Sequence, residues 1–237
     1  MTRTVVAFDL YGTILSTASI AGELESLYGK DKAQSIASLA RRCQLEYTWR
    51  ANSMGNDLTR WSFRQATKEI GVELTSEQEE RLMNAYNGLD TFPDVDDALK
   101  RLAESPSIDP YIFSNGTFNM LASSLKTSPS LSKASNVFPQ DKLVSIESIQ
   151  VFKPDPRTYK FMAKTAGLES ELNKLWLVSS NPFDVAGASA TGLKSAWIDR
   201  EGKGWNDGLA GSLDVKPTVT TSTVDEAVQT ILRQSAQ

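Results

Sequence analysis

Apolar residues along this chain fall into two textures. Short unbroken runs rich in β-branched and aromatic residues occur at Thr4-Val5-Val6-Ala7-Phe8, Tyr111-Ile112-Phe113, Leu175-Trp176-Leu177-Val178 and Ala196-Trp197-Ile198, with a weaker one at Lys142 to Ile146. Runs of this length, each followed by polar residues, predict strands buried on both faces. Elsewhere the spacing lengthens. Val95, Ala98, Leu99, Leu102 and Ala103 recur at i, i+3, i+4, i+7 and i+8, the single apolar stripe of a helix. Val224, Ala227, Val228, Ile231 and Leu232 repeat that spacing behind a capping box of Thr223 and Glu226. Strands alternating with helices predict an α/β fold, a parallel sheet covered on both faces, whose ligands gather at the carboxyl ends of the strands.

From about Ser16 to Pro93 the texture is helical throughout, punctuated near Gly29, Asn56 and Gly71 to Thr75. This predicts a helical domain over 16–93 inserted into a core of 1–15 and 94–237, with hinges near Ser16 and near Leu89 to Asp94. The stretches Ser105 to Pro110, Lys126 to Asn136 and Gly202 to Gly211 read as surface loops, from their Ser/Pro or Gly content.

Composition narrows the chemistry. The 237 residues contain no histidine, which removes Ser-His-Asp and Cys-His catalysis and HExxH zinc hydrolysis together. Catalysis must rest on carboxylates, Lys, Arg, Tyr or hydroxyls. Cys43 is the only cysteine, so an intrachain disulfide and a CxxC zinc ribbon are both excluded, in keeping with a reducing, cytoplasmic setting. A net charge of −4 with interspersed signs offers nucleic acid or an anionic membrane no basic patch. Met1 to Asp9 passes directly into a strand pattern, unlike a secretory leader, and no run has the length of a membrane-spanning helix.

Four polar clusters follow the apolar runs. Asp9 begins Asp9-Leu10-Tyr11-Gly12-Thr13, where an Asp either caps the turn or acts as a nucleophile beside several backbone amides. Ser114-Asn115-Gly116-Thr117 is either an ordinary turn or a set of donors for an anion. In Lys153-Pro154-Asp155-Pro156, Asp155 and Pro156 start a helix, whereas Lys153 is either solvated or a fixed inward cation. Ser179-Ser180-Asn181-Pro182-Phe183-Asp184 follows the strongest apolar run and leads into the small residues Ala186-Gly187-Ala188.

Strand ends carrying Asp, Ser/Asn, Lys and Ser/Asn/Asp in that order resemble the haloacid dehalogenase (HAD) superfamily. The resemblance implies a Rossmann-like α/β core with an inserted helical cap. Many of its enzymes are magnesium-dependent phosphatases reading DxDx(T/V), but the second acidic position here is Tyr11, a phenol that is neutral near pH 7. Magnesium also wants a shell of hard oxygens, for which Asp184 alone is a thin remainder. The Asp9 to Thr13 form instead resembles the type II L-2-haloacid dehalogenases. That likeness continues through Gln44-Leu45-Glu46-Tyr47-Thr48-Trp49, Phe92-Pro93-Asp94-Val95, Lys153-Pro154-Asp155, Tyr159, Gly187-Ala188 and Trp197-Ile198-Asp199-Arg200, most of the chain.

What this resemblance implies is hydrolysis of small (S)-2-haloacids to (R)-2-hydroxyacids through an ester on Asp9, with no cofactor and no metal. Thr13 steadies the Asp9 carboxylate, and Arg41, or its neighbour Arg42, binds the halide from the cap. Ser114 holds the substrate carboxylate, Asn115 helps to bind the departing halide, and Lys153, Tyr159, Ser179, Asn181 and Asp184 complete the polar site. Tyr11 is wall, because a leaving halide needs no proton. Asp184 is the candidate base for the water that cleaves the ester. Phe183 stands where the family usually has Trp in the halide pocket. A homodimer is common in the family; Trp49, Trp61 and Tyr86 either serve it as exposed aromatics or pack between cap and sheet. The rival readings are a magnesium-dependent phosphatase of the same superfamily and a non-catalytic binding protein of the same fold.

Overall fold

The computed structural model describes residues 3–51 and 58–235; the break expected near Asn56 lies outside them. The chain divides into two compact units, Met1–Leu15 with Thr91–Gln237, and Ser16–Asp90. The first unit opens with β1 (Thr4–Phe8), whose Val6, Ala7 and Phe8 are fully buried.

The second unit contains α1 (Ala21–Tyr28), α2 (Lys30–Arg50), α3 (Leu58–Ile70) and α4 (Ser76–Asn87). Gly29, at φ +78°, separates α1 from α2 in a conformation that a side chain would strain. At the start of α4, Thr75 accepts from the Gln78 N–H while the Gln78 side chain accepts from the Thr75 N–H, so both orphan donors are satisfied. Leu24, Ile36, Phe63, Leu82 and Tyr86 fill the interior of this unit. Of the three aromatics whose exposure the sequence left open, Trp49 and Trp61 are 51% and 40% exposed, whereas Tyr86 is only 4% exposed and packs inside this unit. Buried Glu79 is held by Arg60 and Arg64, and hydrogen bonding to Arg64 first of all keeps its carboxyl at about 2 against the usual 4.5.

Returning to the first unit, the chain runs through α5 (Val95–Ala103), β2 (Ile108–Ser114), α6 (Phe118–Thr127), β3 (Leu143–Ser145), α7 (Pro156–Thr165), β4 (Leu175–Ser179), α8 (Pro182–Thr191), β5 (Lys194–Ile198), α9 (Gly208–Ser212), β6 (Val219–Thr221) and α10 (Val224–Ser235). All six strands pair in parallel in the order β3-β2-β1-β4-β5-β6, the doubly wound α/β arrangement. From β1 the chain winds one way to β2 and β3, then back to β4 on the other side. The winding reverses between β1 and β4, whose carboxyl ends bring Asp9 and Ser179 side by side, with Ser179 Oγ 3.4 Å from Asp9 Oδ2.

Three expected loops carry regular structure. Ser105 to Pro110 includes the first half of β2, Lys126 and Thr127 complete α6, and Gly202 to Gly211 contains most of α9. Pro110 is tolerated inside β2 because β3 pairs only with Ile112, Phe113 and Ser114, so the missing N–H faces no strand on that side. The strand β6 at the sheet edge carried no sequence signal. Thr91–Pro93, expected with the helical insertion, run with the core: Leu15 bridges Thr91 and the Phe92 N–H donates to the Ile14 carbonyl at 3.1 Å.

Candidate active site

The site grows from β1. Its last residue hands over to Asp9, whose N–H donates to the Val178 carbonyl of β4 at 3.0 Å, fixing the residue between two strand ends. The chain then turns through Gly12 at φ +90°, which brings the Thr13 side chain back toward Asp9. Thr13 Oγ1 donates to Asp9 Oδ2 at 2.8 Å and accepts from the Ser180 N–H at 2.9 Å, so one hydroxyl links the loops after β1 and β4.

Asn181 occupies the N-cap position of α8 but does not cap it. Its Nδ2 donates instead to Asp9 Oδ2 at 2.7 Å and to the Tyr11 carbonyl at 3.2 Å. Ser179 Oγ lies 3.4 Å from the same carboxylate oxygen and accepts from the Asn181 N–H. The other oxygen, Oδ1, takes Lys153 Nζ at 2.9 Å. Both oxygens of Asp9 are thereby held as acceptors, which fixes the direction in which the carboxylate is aimed.

Lys153 is 1% exposed and points inward. Its ammonium also donates to Asp184 Oδ2 at 2.6 Å and to the Phe113 carbonyl at 3.1 Å, and lies 4.7 Å from the centre of the Phe113 ring. Burial works against that charge, yet Asp184 and Asp9 outweigh it and hold the ammonium above its usual 10.5. Asp184, in the first turn of α8, has its second oxygen bound by the Tyr159 hydroxyl at 2.8 Å. Burial pushes the Asp184 carboxyl up to about 6 against the pull of Lys153, and the charge on Asp9 adds to the rise. Burial first, then Asp184, drives the Tyr159 phenol well above 10, so it is a donor at any working pH. One cation thus serves two buried carboxylates.

The second cluster stands behind this one. Asn115 Oδ1 accepts from the Lys153 N–H at 2.9 Å, which leaves the amide NH2 as its donor. Ser114 is buried with its oxygen accepting from the Gly116 N–H at 3.1 Å, an arrangement that leaves its hydroxyl proton to be offered. The Tyr11 hydroxyl meets Ser124 Oγ at 3.2 Å, and a Cβ on Gly116 would come within 3.0 Å of the Tyr11 ring. Phe183 lies half-buried next to Asp184 on α8. Arg41 belongs to the other unit, where its Nη1 donates to Gln44 Oε1 at 2.7 Å beside Phe63 and Tyr86. Arg42 is exposed and pairs with Glu69 at 3.2 Å.

Structure adds participants that the sequence reading passed over: the Phe113 carbonyl, the Ser180 amide and Arg200. Main-chain groups leave no sequence signature. Arg200 stands in the Trp197-Ile198-Asp199-Arg200 match to the family, to which the sequence reading attached no role. The donor set does not suit magnesium, since Asp184 has Lys153 on one oxygen and Tyr159 on the other, and the Tyr11 hydroxyl is turned to Ser124.

A family model described as haloacid dehalogenase-like hydrolase matches residues 4–192. The chain is 36% identical over 219 residues to an (S)-2-haloacid dehalogenase of Pseudomonas fluorescens, an alignment covering 89% of this chain and 88% of that one. It is 30% identical to haloacetate dehalogenase H-2 of Moraxella sp. (strain B), over 95% of this chain and 96% of the other. The solved structure of an L-2-haloacid dehalogenase superposes with a TM-score of 0.84 at 26% identity, covering 98% of this chain and all of that one. With the family match spanning most of the sheet and these relatives spanning nearly the whole chain, the protein belongs to the haloacid dehalogenase-like hydrolases.

Proposed function

We propose that this enzyme hydrolyses the carbon–halogen bond of small (S)-2-haloacids with inversion at C2, giving (R)-2-hydroxyacids. An oxygen of Asp9 attacks C2 from the face opposite the halogen; the C–O bond forms as the C–X bond breaks, and the halide leaves with the bonding pair. Water then adds to the Asp9 carbonyl carbon, giving a proton to Asp184, and the hydroxyacid departs as its oxygen is protonated. The net change is haloacid and water to hydroxyacid, halide and a proton.

The observation that carries this reading is the Asp9 side chain held from four sides, by Lys153 on one oxygen and by Thr13, Asn181 and Ser179 on the other. A nucleophile needs that aim, and a leaving halide needs no acid, which makes Tyr11 acceptable where a phosphatase has its second carboxylate. Three anions meet during the first step, so fixed cations and donors must face the charge as it develops. Lys153 supplies one; Arg41 and Asn115 take the halide, Ser114 takes the substrate carboxylate, and Tyr11 and Phe183 wall the pocket. The enzyme works without metal, in the cytoplasm, as a homodimer.

Single turnover in heavy-oxygen water, with enzyme in excess, is the direct test. The label is expected in the Asp9 carboxylate and not in the first product; label in the product alone defeats the ester mechanism. Arg41→Ala is expected to weaken inhibition by chloride and Arg42→Ala to leave it unchanged, since Arg42 is engaged with Glu69. The reverse result moves the halide contact to Arg42.

A further inference from the structure

Arg200 lies two residues beyond β5 and takes no part in the reaction just described, yet its guanidinium is held from several segments at once. Nε and Nη2 form a fork onto Asp94, at 2.8 Å to Oδ1 and 3.0 Å to Oδ2. Nη2 also donates to the Thr13 carbonyl at 2.9 Å, and Nη1 donates to Ser180 Oγ at 2.7 Å. The guanidinium carbon sits 3.9 Å over the Phe92 ring. Asp94 is itself fixed, accepting from the Val224 N–H at the start of α10 at 2.9 Å.

Two of these partners matter for chemistry. Thr13 is the residue whose hydroxyl grips Asp9 Oδ2, and Ser180 supplies the N–H that grips the Thr13 hydroxyl. Arg200 therefore binds the outer side of both loops whose inner sides hold the nucleophile. A brace for α10 alone would need only Asp94; the two further donors aimed at Thr13 and Ser180 go beyond that.

We propose that Arg200 is a positioning residue for Asp9. Anchored by Asp94 and Phe92, it fixes the Thr13 peptide and the Ser180 loop so that the Thr13 hydroxyl stays on the carboxylate in the attacking orientation. Displacement at carbon is sensitive to such aim: a misplacement of about 1 Å costs on the order of 100-fold in rate. Lysine can keep the ion pair with Asp94 but lacks the planar fork needed to hold Thr13 and Ser180 as well.

The proposal rests on Asp9 being the nucleophile, so the experiment reads the Asp9 label. Single-turnover labelling in heavy-oxygen water is followed over time for the wild type, R200K and S180A, alongside steady-state halide release from 2-chloropropionate and thermal melting. R200K is expected to melt close to the wild type, to label Asp9 some 10- to 100-fold more slowly, and to change KM by less than about threefold, since substrate contacts are untouched. S180A, which removes one neutral partner, is expected to slow labelling about fivefold. A wild type that releases halide without labelling Asp9 defeats the nucleophile and this proposal together. A labelled wild type beside R200K labelling at an undiminished rate overturns the role of Arg200 alone. Should R200K fail to fold, wild-type labelling by S180A overturns it instead.

Discussion

Lys153 carries a single positive charge between two buried carboxylates, Asp9 and Asp184. Asp9 has four donors and Asp184 has two neighbours, Lys153 and Tyr159. Burial raises the Asp184 carboxyl to about 6, and a base for water must be unprotonated. In the ester Asp9 carries no charge and no longer adds to that rise, so turnover is expected to fall as pH drops below about 6, read as an acid limb in the pH profile of kcat. Tyr159→Phe removes a hydrogen bond that favours the carboxylate, so the limb should move to higher pH. A limb that stays in place removes Asp184 as the base. For stability the sign is opposite. A carboxyl raised from 3.8 to about 6 favours the folded chain fully below 3.8, and that contribution is lost as pH rises through 6.

At the scale of elements, α7 and α8 meet where Tyr159 reaches Asp184, and Gly187 is what lets them approach. A Cβ at that position would lie 2.6 Å from the Tyr159 hydroxyl and 2.7 Å from Pro154 Cβ. Alanine ordinarily improves a helix by about 1 kcal/mol over glycine, but overpacking of this kind costs about 1–3 kcal/mol. Gly187→Ala is expected to lower the melting temperature and to shift the acid limb as Tyr159→Phe does; an unchanged limb would mean that the helix slides to admit the methyl group. Elements of this kind were largely legible in the sequence. Strands β1, β4 and β5 announce themselves because both faces are buried and their runs are unbroken, and α5 and α10 because one stripe is apolar. Thr223 caps α10 as expected, though the Glu226 carboxylate accepts from Ser222 rather than from Thr223. Illegible were β6, three residues on a half-wet sheet edge, and the opening of β2, where Asp109 and Pro110 disguise a strand that is paired on one side only. In the site, Asp9, Lys153 and Asp184 could be read from their order after strands. Arg200 could not, because its partners Thr13, Ser180 and Asp94 come together only when the loops after β1, β4 and β5 do.

On the scale of the whole molecule, the two units differ in how far apart their contacting residues lie along the chain. The helical unit is one continuous stretch, Ser16–Asp90, whereas the other joins Met1–Leu15 to everything after Thr91. Thr4 pairs with Ile108 and Val5 with Leu175, so β1 finds neither neighbour until much of the chain exists. Contacts between distant residues form slowly because a long loop must close first. Pulse-labelling hydrogen exchange during refolding is expected to protect amides of α2 and α3 before those of β1. Simultaneous protection would show that the sheet nucleates the whole.

That wide separation in the chain bears on how the protein is made. Asp9 leaves the ribosome 144 positions ahead of the lysine that pairs with it, with Asn181 and Asp184 later still. Until Lys153 follows, the acidic strand end has no counter-charge, and until β2 follows, β1 has two bare edges, a state that invites wrong pairing between nascent chains. On the proposed mechanism, a polypeptide released before Asp184 would carry the attacking group without the base that frees it from its ester, so completion of the catalyst waits on the segment that follows β4.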